Sequence, residues 1–293
     1  MESAKPLPYN SSLAAGVKAA IGRQASEEPM RILLTNDDGV NAPGLAALRD
    51  AIADLGEVAV VAPDTEQSGV AHSITLIHPL RVRKVYHGQE FFGYGVSGAP
   101  ADCVKLACRE LLAAPPDLVC AGLNLGANVA INILYSGTVA AAIEGAILGF
   151  PSVAFSLAET ERPDFPGAAA IAREVLGLIL AEPLPERAVL NVNIPGLPCE
   201  QVRGIRVTHQ SSSTYRETFE KRHDPWGKAY FWITGGINDQ FLREPDSDLL
   251  ALREGYVSVT PIHFDLTHYP AIEPLRRRLS SLQRFGSSPT KTA

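Results

Sequence analysis

Residues 31–45 read RILLTNDDGVNAPGL, and this stretch decides the fold. Residues 31–35 form a short apolar run that ends in a polar turn, Asn36-Asp37-Asp38-Gly39. A helical pattern follows over 43–55, with Leu45, Leu48, Ile52 and Leu55 at helical spacing, and Pro43 suits a first helical turn. Residues 58–61 are then continuously apolar. Strand, turn, helix and strand make a βαβ unit, which predicts two parallel strands joined by a right-handed crossover.

The same alternation resumes further along the chain. Helices are expected over 101–112, 138–148 and 168–180, and strands over 117–121, 152–156 and 189–193. Continuously apolar strands between helices predict a mostly parallel sheet covered on both faces. The expected fold is therefore α/β, with a Rossmann-like, doubly wound core over about residues 30–195. Two regions break the pattern. Residues 74–96 carry short β-rich runs at 80–85 and 91–96 and no long helix, so they are read as a β insertion. Residues 196–269 carry β-rich runs at 205–209, 230–233 and 256–262, with a polar, aromatic-bearing stretch between. They are read as a C-terminal arm of the kind that packs on a partner subunit, with 256–262 as a closing strand. Residues 1–29 are expected to be a loose extension and 270–293 a basic, then Ser/Thr-rich, frayed tail.

Composition narrows the function classes. The chain has 293 residues, of which 46% are hydrophobic and 20% charged, which supports a sizeable core and argues against global disorder. A net charge of −6 argues against a protein that grips a nucleic-acid duplex, because that needs a basic surface. No stretch approaches the roughly 20 apolar residues that span a bilayer, and residues 1–29 lack the pattern of a secretory signal. Cys103, Cys108, Cys120 and Cys199 form no C-x-x-C pair and read as small apolar residues, which predicts a reducing, cytoplasmic setting.

Ligands of an open α/β sheet bind beyond the carboxyl ends of its strands. Asp37 and Asp38 follow the first strand, and two adjacent carboxylates there repel each other until a divalent cation relieves them. The bland alternative is a polar turn in which Asp38 caps the next helix. In 62–73, Ser68 could offer a hydroxyl to a metal and Gly69 an N–H to phosphate, or Ser68 could simply cap a turn. His72 is read as a structural hydrogen-bonder, since no His or Cys stands at metal spacing from it. After the strand at 117–121 come Asn124 and Asn128, and Ser136-Gly137-Thr138 opens a helix. A helix N-terminus with free N–H groups is a prepared anion site, so these three residues could cradle a phosphate; a capped helix start is the alternative. Asp102 is expected to support its own helix N-terminus, and Lys105 is read as a solvated surface charge, with a reach to the site as the alternative. The chain has no Walker loop and no G-x-G-x-x-G in its first turn, which disfavours a nicotinamide enzyme.

Taken together, these segments resemble the SurE survival-protein family of nucleotidases. The resemblance is carried by RILLTNDDGVNAPGL (31–45), VVAPDTEQSGVAHSIT (60–75), SGAPADCVKLA (97–107), AGLNLGANVAINILYSGTVAAAIEG (121–145) and SDLLALREGYVSVTPI (247–262). It implies a metal-dependent 5′/3′-nucleotidase with a Rossmann-like core and a C-terminal arm that links subunits. Asp37, Asp38, Ser68 and Asn124 match the metal ligands, with one Mg²⁺ or Mn²⁺ expected. Gly69, Asn128, Ser136, Gly137 and Thr138 match the phosphate contacts, and Asp37, Asp38 and Asn128 are the expected catalytic residues. Three departures from the family pattern stand out. Ala121-Gly122-Leu123-Asn124 replaces S/T-G-I-N, Asn128-Val129-Ala130-Ile131-Asn132 replaces N-L-G-x-D, and Ala99 replaces a Thr. The expected activity is hydrolysis of nucleoside monophosphates by a homodimer or homotetramer. The alternatives are a broad phosphatase that also shortens polyphosphate, and a non-catalytic nucleotide-binding scaffold.

Overall fold

The computed structural model describes residues 29–158, 160–182, 184, 187–237 and 244–280. The extension expected before residue 29 and the end of the tail lie outside them. The chain divides into two compact units, 1–262 and 263–293.

The first unit is built on one nine-stranded sheet. Its strands are β1 (Met30–Thr35), β2 (Gly56–Pro63), β3 (Val82–His87), β4 (Glu90–Val96), β5 (Leu118–Leu125), β6 (Ser152–Leu157), β7 (Val189–Ile194), β8 (Ile205–Val207) and β11 (Val257–Ile262). Their order across the sheet is β3-β4-β2-β1-β5-β6-β7-β11-β8. The run β4-β2-β1-β5-β6-β7 is parallel throughout. The β-rich insertion is no separate layer: β4 continues the sheet beside β2, and β3 turns back antiparallel on its edge. The sheet also runs past residue 195, because β11 pairs antiparallel with β7 and carries β8 with it. Periodicity marks such strands but not the sheet they join.

Helices cover both faces. α1 (Pro43–Ile52) packs beside α4 (Phe165–Ile179), and α2 (Pro100–Leu106) beside α3 (Gly137–Ile147). Each forms for a local reason. α1, α2 and α4 carry Pro in the first turn, where its missing N–H costs nothing. α3 is capped by Ser136, whose hydroxyl oxygen accepts from the Val139 amide. α1 turns Leu45, Leu48 and Ile52 inward onto the sheet, and α2 widens into a π turn over Ala107–Leu111. Every residue of β6 and β7 is buried, as parallel strands covered on both faces must be.

A short helix, α5 (Asp248–Arg253), precedes β11. Two strands stand apart, β9 (Tyr215–His223) and β10 (Ala229–Ile237), which pair as an antiparallel ribbon. In the second unit α6 (Tyr269–Leu279) is helical where a frayed tail was expected. Pro270 suits its first turn, Glu273 pairs with Arg276 one turn on, and Arg276, Arg277 and Arg278 favour its C-terminal end.

Candidate active site

The direction of winding reverses between β1 and β5, since β1 is flanked by β2 on one side and β5 on the other. The carboxyl ends of strands at such a switch point are the place where doubly wound sheets bind ligands. Asp37 and Asp38 come from the first loop and Asn124 from the end of β5.

The turn that carries the aspartates is held by its own first residue. The Asn36 amide nitrogen donates to the Gly39 carbonyl at 3.0 Å, and the Gly39 N–H donates to Asn36 Oδ1 at 3.2 Å. Asp37 is buried and points at the start of α3, where the Thr138 hydroxyl donates to it. Gly137 is needed at that junction. A Cβ there would stand 2.8 Å from Asp37 Cβ and 2.9 Å from its Oδ2. Burial raises the Asp37 pKa, and the bond from Thr138 and the amides of Gly137 and Thr138 offset it only in part. Asp38 is half-buried and accepts a long 3.4 Å bond from the Leu125 amide. Burial, then the charge of Asp37, push it up to about 6, with a smaller contribution from Glu66. Among the described residues no lysine or arginine forms an ion pair with either aspartate.

Asn124 is set by a bulge. Three steps along β5, from Ala121 to Asn124, face two along β6, from Ala154 to Ser156. An extra residue of this kind re-aims the side chain that follows it. Gly122 lies inside the bulge at φ 135°, and a Cβ there would collide with the Phe155 carbonyl. The Asn124 amide nitrogen donates to the Gly126 carbonyl at 2.7 Å, which leaves its side-chain oxygen as the donor atom for a ligand.

The loop after β2 is tied to the same place. The Gln67 amide donates to the Asp37 carbonyl at 2.7 Å, and the Ala71 amide to the Tyr135 carbonyl at 3.0 Å. Ser68 and Gly69 lie exposed between these ties. The Ser68 hydroxyl donates to Glu66 Oε1 at 2.6 Å, so Glu66 brings a third carboxylate that the sequence did not single out. His72 Nε2 lies 2.9 Å from Glu144 Oε2 on α3, in the structural role expected of it. Lys105 is not a free surface charge: its Nζ lies 2.5 Å from Glu144 Oε1, a carboxylate whose side chain is only 3% exposed. Burial alone would raise Glu144, but the bonds from His72 and Lys105 outweigh it and hold the group below its usual range. Asp102 supports its helix as expected, accepting from the Ala99 amide at 2.9 Å, and it also holds the Thr75 amide.

The expected phosphate contacts divide. Gly69 is open. Thr138 is fully buried with its hydroxyl donating to Asp37, and the Ser136 hydroxyl oxygen accepts from the Val139 amide as the helix cap. The Ser136 hydroxyl proton, the backbone donors and the helix end remain there for an anion. Asn128 is buried and tightly held. Its amide nitrogen donates to Ser156 Oγ at 2.8 Å, and its backbone N–H to Asn193 Oδ1 at 2.8 Å. Its carbonyl accepts from Asn191 at 2.7 Å and Asn193 at 3.2 Å. Asn191 and Asn193 went unnoticed in the sequence. The available signal was two polar residues inside Val-Leu-Asn-Val-Asn-Ile, a strand that a doubly covered sheet buries completely.

The donor set mixes two carboxylates, a hydroxyl and an amide oxygen, which suits a hard divalent cation. Among the described residues no group of three His, Cys, Asp or Glu side chains is placed to hold a metal ion, so a cation here would depend on the hydroxyl and amide oxygens as well.

Comparisons with known proteins bear on the family and the fold. The family model described as "Survival protein SurE" matches residues 32–217. A protein named 5'-nucleotidase SurE from Syntrophobacter fumaroxidans is 48% identical over 248 residues, 84% of this chain and 98% of the relative. A protein of the same name from Pelotomaculum thermopropionicum is 45% identical over 254 residues, 86% of this chain and 96% of the relative. The crystal structure of the SurE protein from Aquifex aeolicus superposes with a TM-score of 0.75 at 44% identity, covering 85% of this chain and 99% of that one.

Proposed function

This chain belongs to the survival protein SurE family, and from that premise we propose that it is a metal-dependent phosphomonoesterase that hydrolyses nucleoside 5′- and 3′-monophosphates to nucleoside and phosphate. The observation that carries the proposal is the aspartate pair. Asp37 and Asp38 stand side by side at the switch point of the sheet, both held above the usual carboxylate range and neither in an ion pair with a described lysine or arginine.

The residues present fit one divalent cation, Mg²⁺ or Mn²⁺. Asp37, Asp38, the Asn124 side-chain oxygen and the Ser68 hydroxyl would hold it. Such an ion supplies Lewis-acid polarisation of the phosphoryl group and lowers the pKa of a water. The chain's own residues do the rest. The Gly69 N–H and the amide end of α3 at Gly137 receive phosphoryl oxygens, and Asn128 stabilises the charge that develops on them. Ser136 caps α3, and the Thr138 hydroxyl donates to the Asp37 carboxylate and so fixes how it is presented to the cation. With both aspartates committed to the cation, the attacking group is water rather than Asp37. Nucleotide phosphates repel an acidic surface, which is why the charge of the site must be answered locally.

The exposed aromatic side chains of the β9–β10 ribbon support a homodimer or homotetramer made through the arm. All four cysteines are free, which supports a reducing, cytoplasmic setting. No described helix is long and apolar enough to cross a membrane.

The test is phosphate release from a panel of 5′- and 3′-nucleoside monophosphates, a synthetic aryl phosphate and polyphosphate. Release from the nucleotides with Mn²⁺ or Mg²⁺, abolished by EDTA, is the expected result. Release from polyphosphate or the aryl ester alone would replace the nucleotidase with a broad phosphatase. No release from any substrate would leave a binding scaffold.

A further inference from the structure

Ala130 is a buried alanine at φ 52°, a left-handed backbone that residues with a Cβ rarely adopt. Both of its backbone polar groups are taken by side chains distant in sequence. Asp248 Oδ2 accepts its N–H at 3.0 Å across 118 residues, and Gln210 Nε2 donates to its carbonyl at 2.7 Å across 80 residues. The two holding segments also hold each other. Asp248 Oδ1 accepts from the Ser211 amide at 2.9 Å, and the Asp248 amide donates to the His209 carbonyl at 2.9 Å. Two residues before Ala130, Asn128 is fixed from the other side by Ser156, Asn191 and Asn193.

We propose that Asp248 and Gln210 are positioning residues for the site, which act by holding Ala130 in its left-handed conformation and so fix where Asn128 stands. Its activity arm rests on the phosphatase function given above. A cap for α5 would account for Asp248 binding the Leu249 amide, but not for the Ala130 amide. Gln210 has no side-chain bond within its own segment that would explain its reach to Ala130. The site loop is thus ordered by the part of the chain that follows β7, and loosening that part displaces Asn128 without touching Asp37, Asp38 or Asn124. Such a displacement lowers turnover and leaves the cation site as it was.

The test uses full-length Gln210→Ala, Asp248→Asn, Ala130→Gly and the double variant Gln210→Ala with Ala130→Gly. Gln210→Ala removes one hydrogen bond at an exposed residue and keeps the test open if Asp248→Asn fails to fold. Three quantities are read: kcat and KM on a nucleoside monophosphate, Mn²⁺ affinity by titration, and amide hydrogen exchange over 128–134. In Gln210→Ala, kcat is expected to fall by about three- to tenfold with Mn²⁺ affinity unchanged and exchange over 128–134 faster. Ala130→Gly in that background restores most of kcat, because glycine takes the left-handed backbone unaided. Wild-type kcat together with wild-type exchange in Gln210→Ala would overturn the proposal. So would faster exchange with unchanged kcat, or a lowered kcat that Ala130→Gly fails to restore. If the wild type releases no phosphate, the phosphatase function is what fails, and the exchange comparison still decides whether Gln210 and Asp248 hold Ala130.

Discussion

Asp38 is half-buried beside a second carboxylate, and no described lysine or arginine pairs with it. The sign of the consequence can be worked out. Its folded-state pKa of about 6 lies above the ordinary value of 3.8, so the folded chain binds more protons than the unfolded one between those values. Stability contributed by protonated Asp38 is therefore lost as pH rises from about 4 to about 6. In EDTA, the Tm of the wild type is expected to fall across that window, and Asp38→Asn to flatten the fall. A Tm that rises across it in the wild type, unchanged in the variant, would show that Asp38 is not the strained group. At this scale the sequence was informative about identity and silent about partners. Two adjacent aspartates after a strand could be read directly. That Thr138 spends its hydroxyl on Asp37, or that Asn191 and Asn193 hold Asn128, depends on contacts between residues about 60 to 100 positions apart. Periodicity encodes no such contact.

At the scale of elements, the junction between β1 and α3 matters most. The helix can bring its amide end against Asp37 only because Gly137 has no Cβ. Gly137→Ala must push the helix or the aspartate turn aside. We expect it to cost about 1–3 kcal/mol of stability and to reduce turnover far more than its stability loss explains. Denaturant unfolding and steady-state kinetics on the same preparation check both halves. Full activity with unchanged stability would mean that the junction has slack. The elements themselves were legible where their chemistry was local: β1, α1 and β2 announce themselves by apolar runs set between Asn-Asp-Asp-Gly and Pro. β9 did not, because Tyr-Arg-Glu-Thr-Phe-Glu-Lys-Arg-His has no apolar face and forms only against β10. α6 did not either: Tyr269, Ile272, Leu275 and Leu279 stand at helical spacing, but Pro274 inside the run reads as a helix breaker.

Across the whole molecule, one sheet gathers strands from the core, the insertion and the arm. The sequence placed the parallel centre but could not assign β4 to β2 or β11 to β7, since a strand pattern does not name its neighbour. The β9–β10 ribbon stays out of that sheet and exposes Phe219, Phe231, Trp232 and Ile233. An isolated two-stranded ribbon is marginal in water, and an apolar one calls for a covering partner. Replacing Phe231 and Trp232 with serine is expected to lower the assembly mass measured by light scattering while the circular dichroism spectrum is kept. An unchanged mass would place the subunit contact elsewhere.

The central claim is that the aspartate pair holds the cation on which hydrolysis depends. Its most direct test is phosphate release from one nucleoside 5′-monophosphate as a function of Mn²⁺ concentration, for the wild type and for Asp38→Ala. The expected result is saturable activation by Mn²⁺ in the wild type, none in EDTA, and loss of activation in the folded variant. Equal activation of both proteins, or wild-type turnover that persists in EDTA, would contradict it.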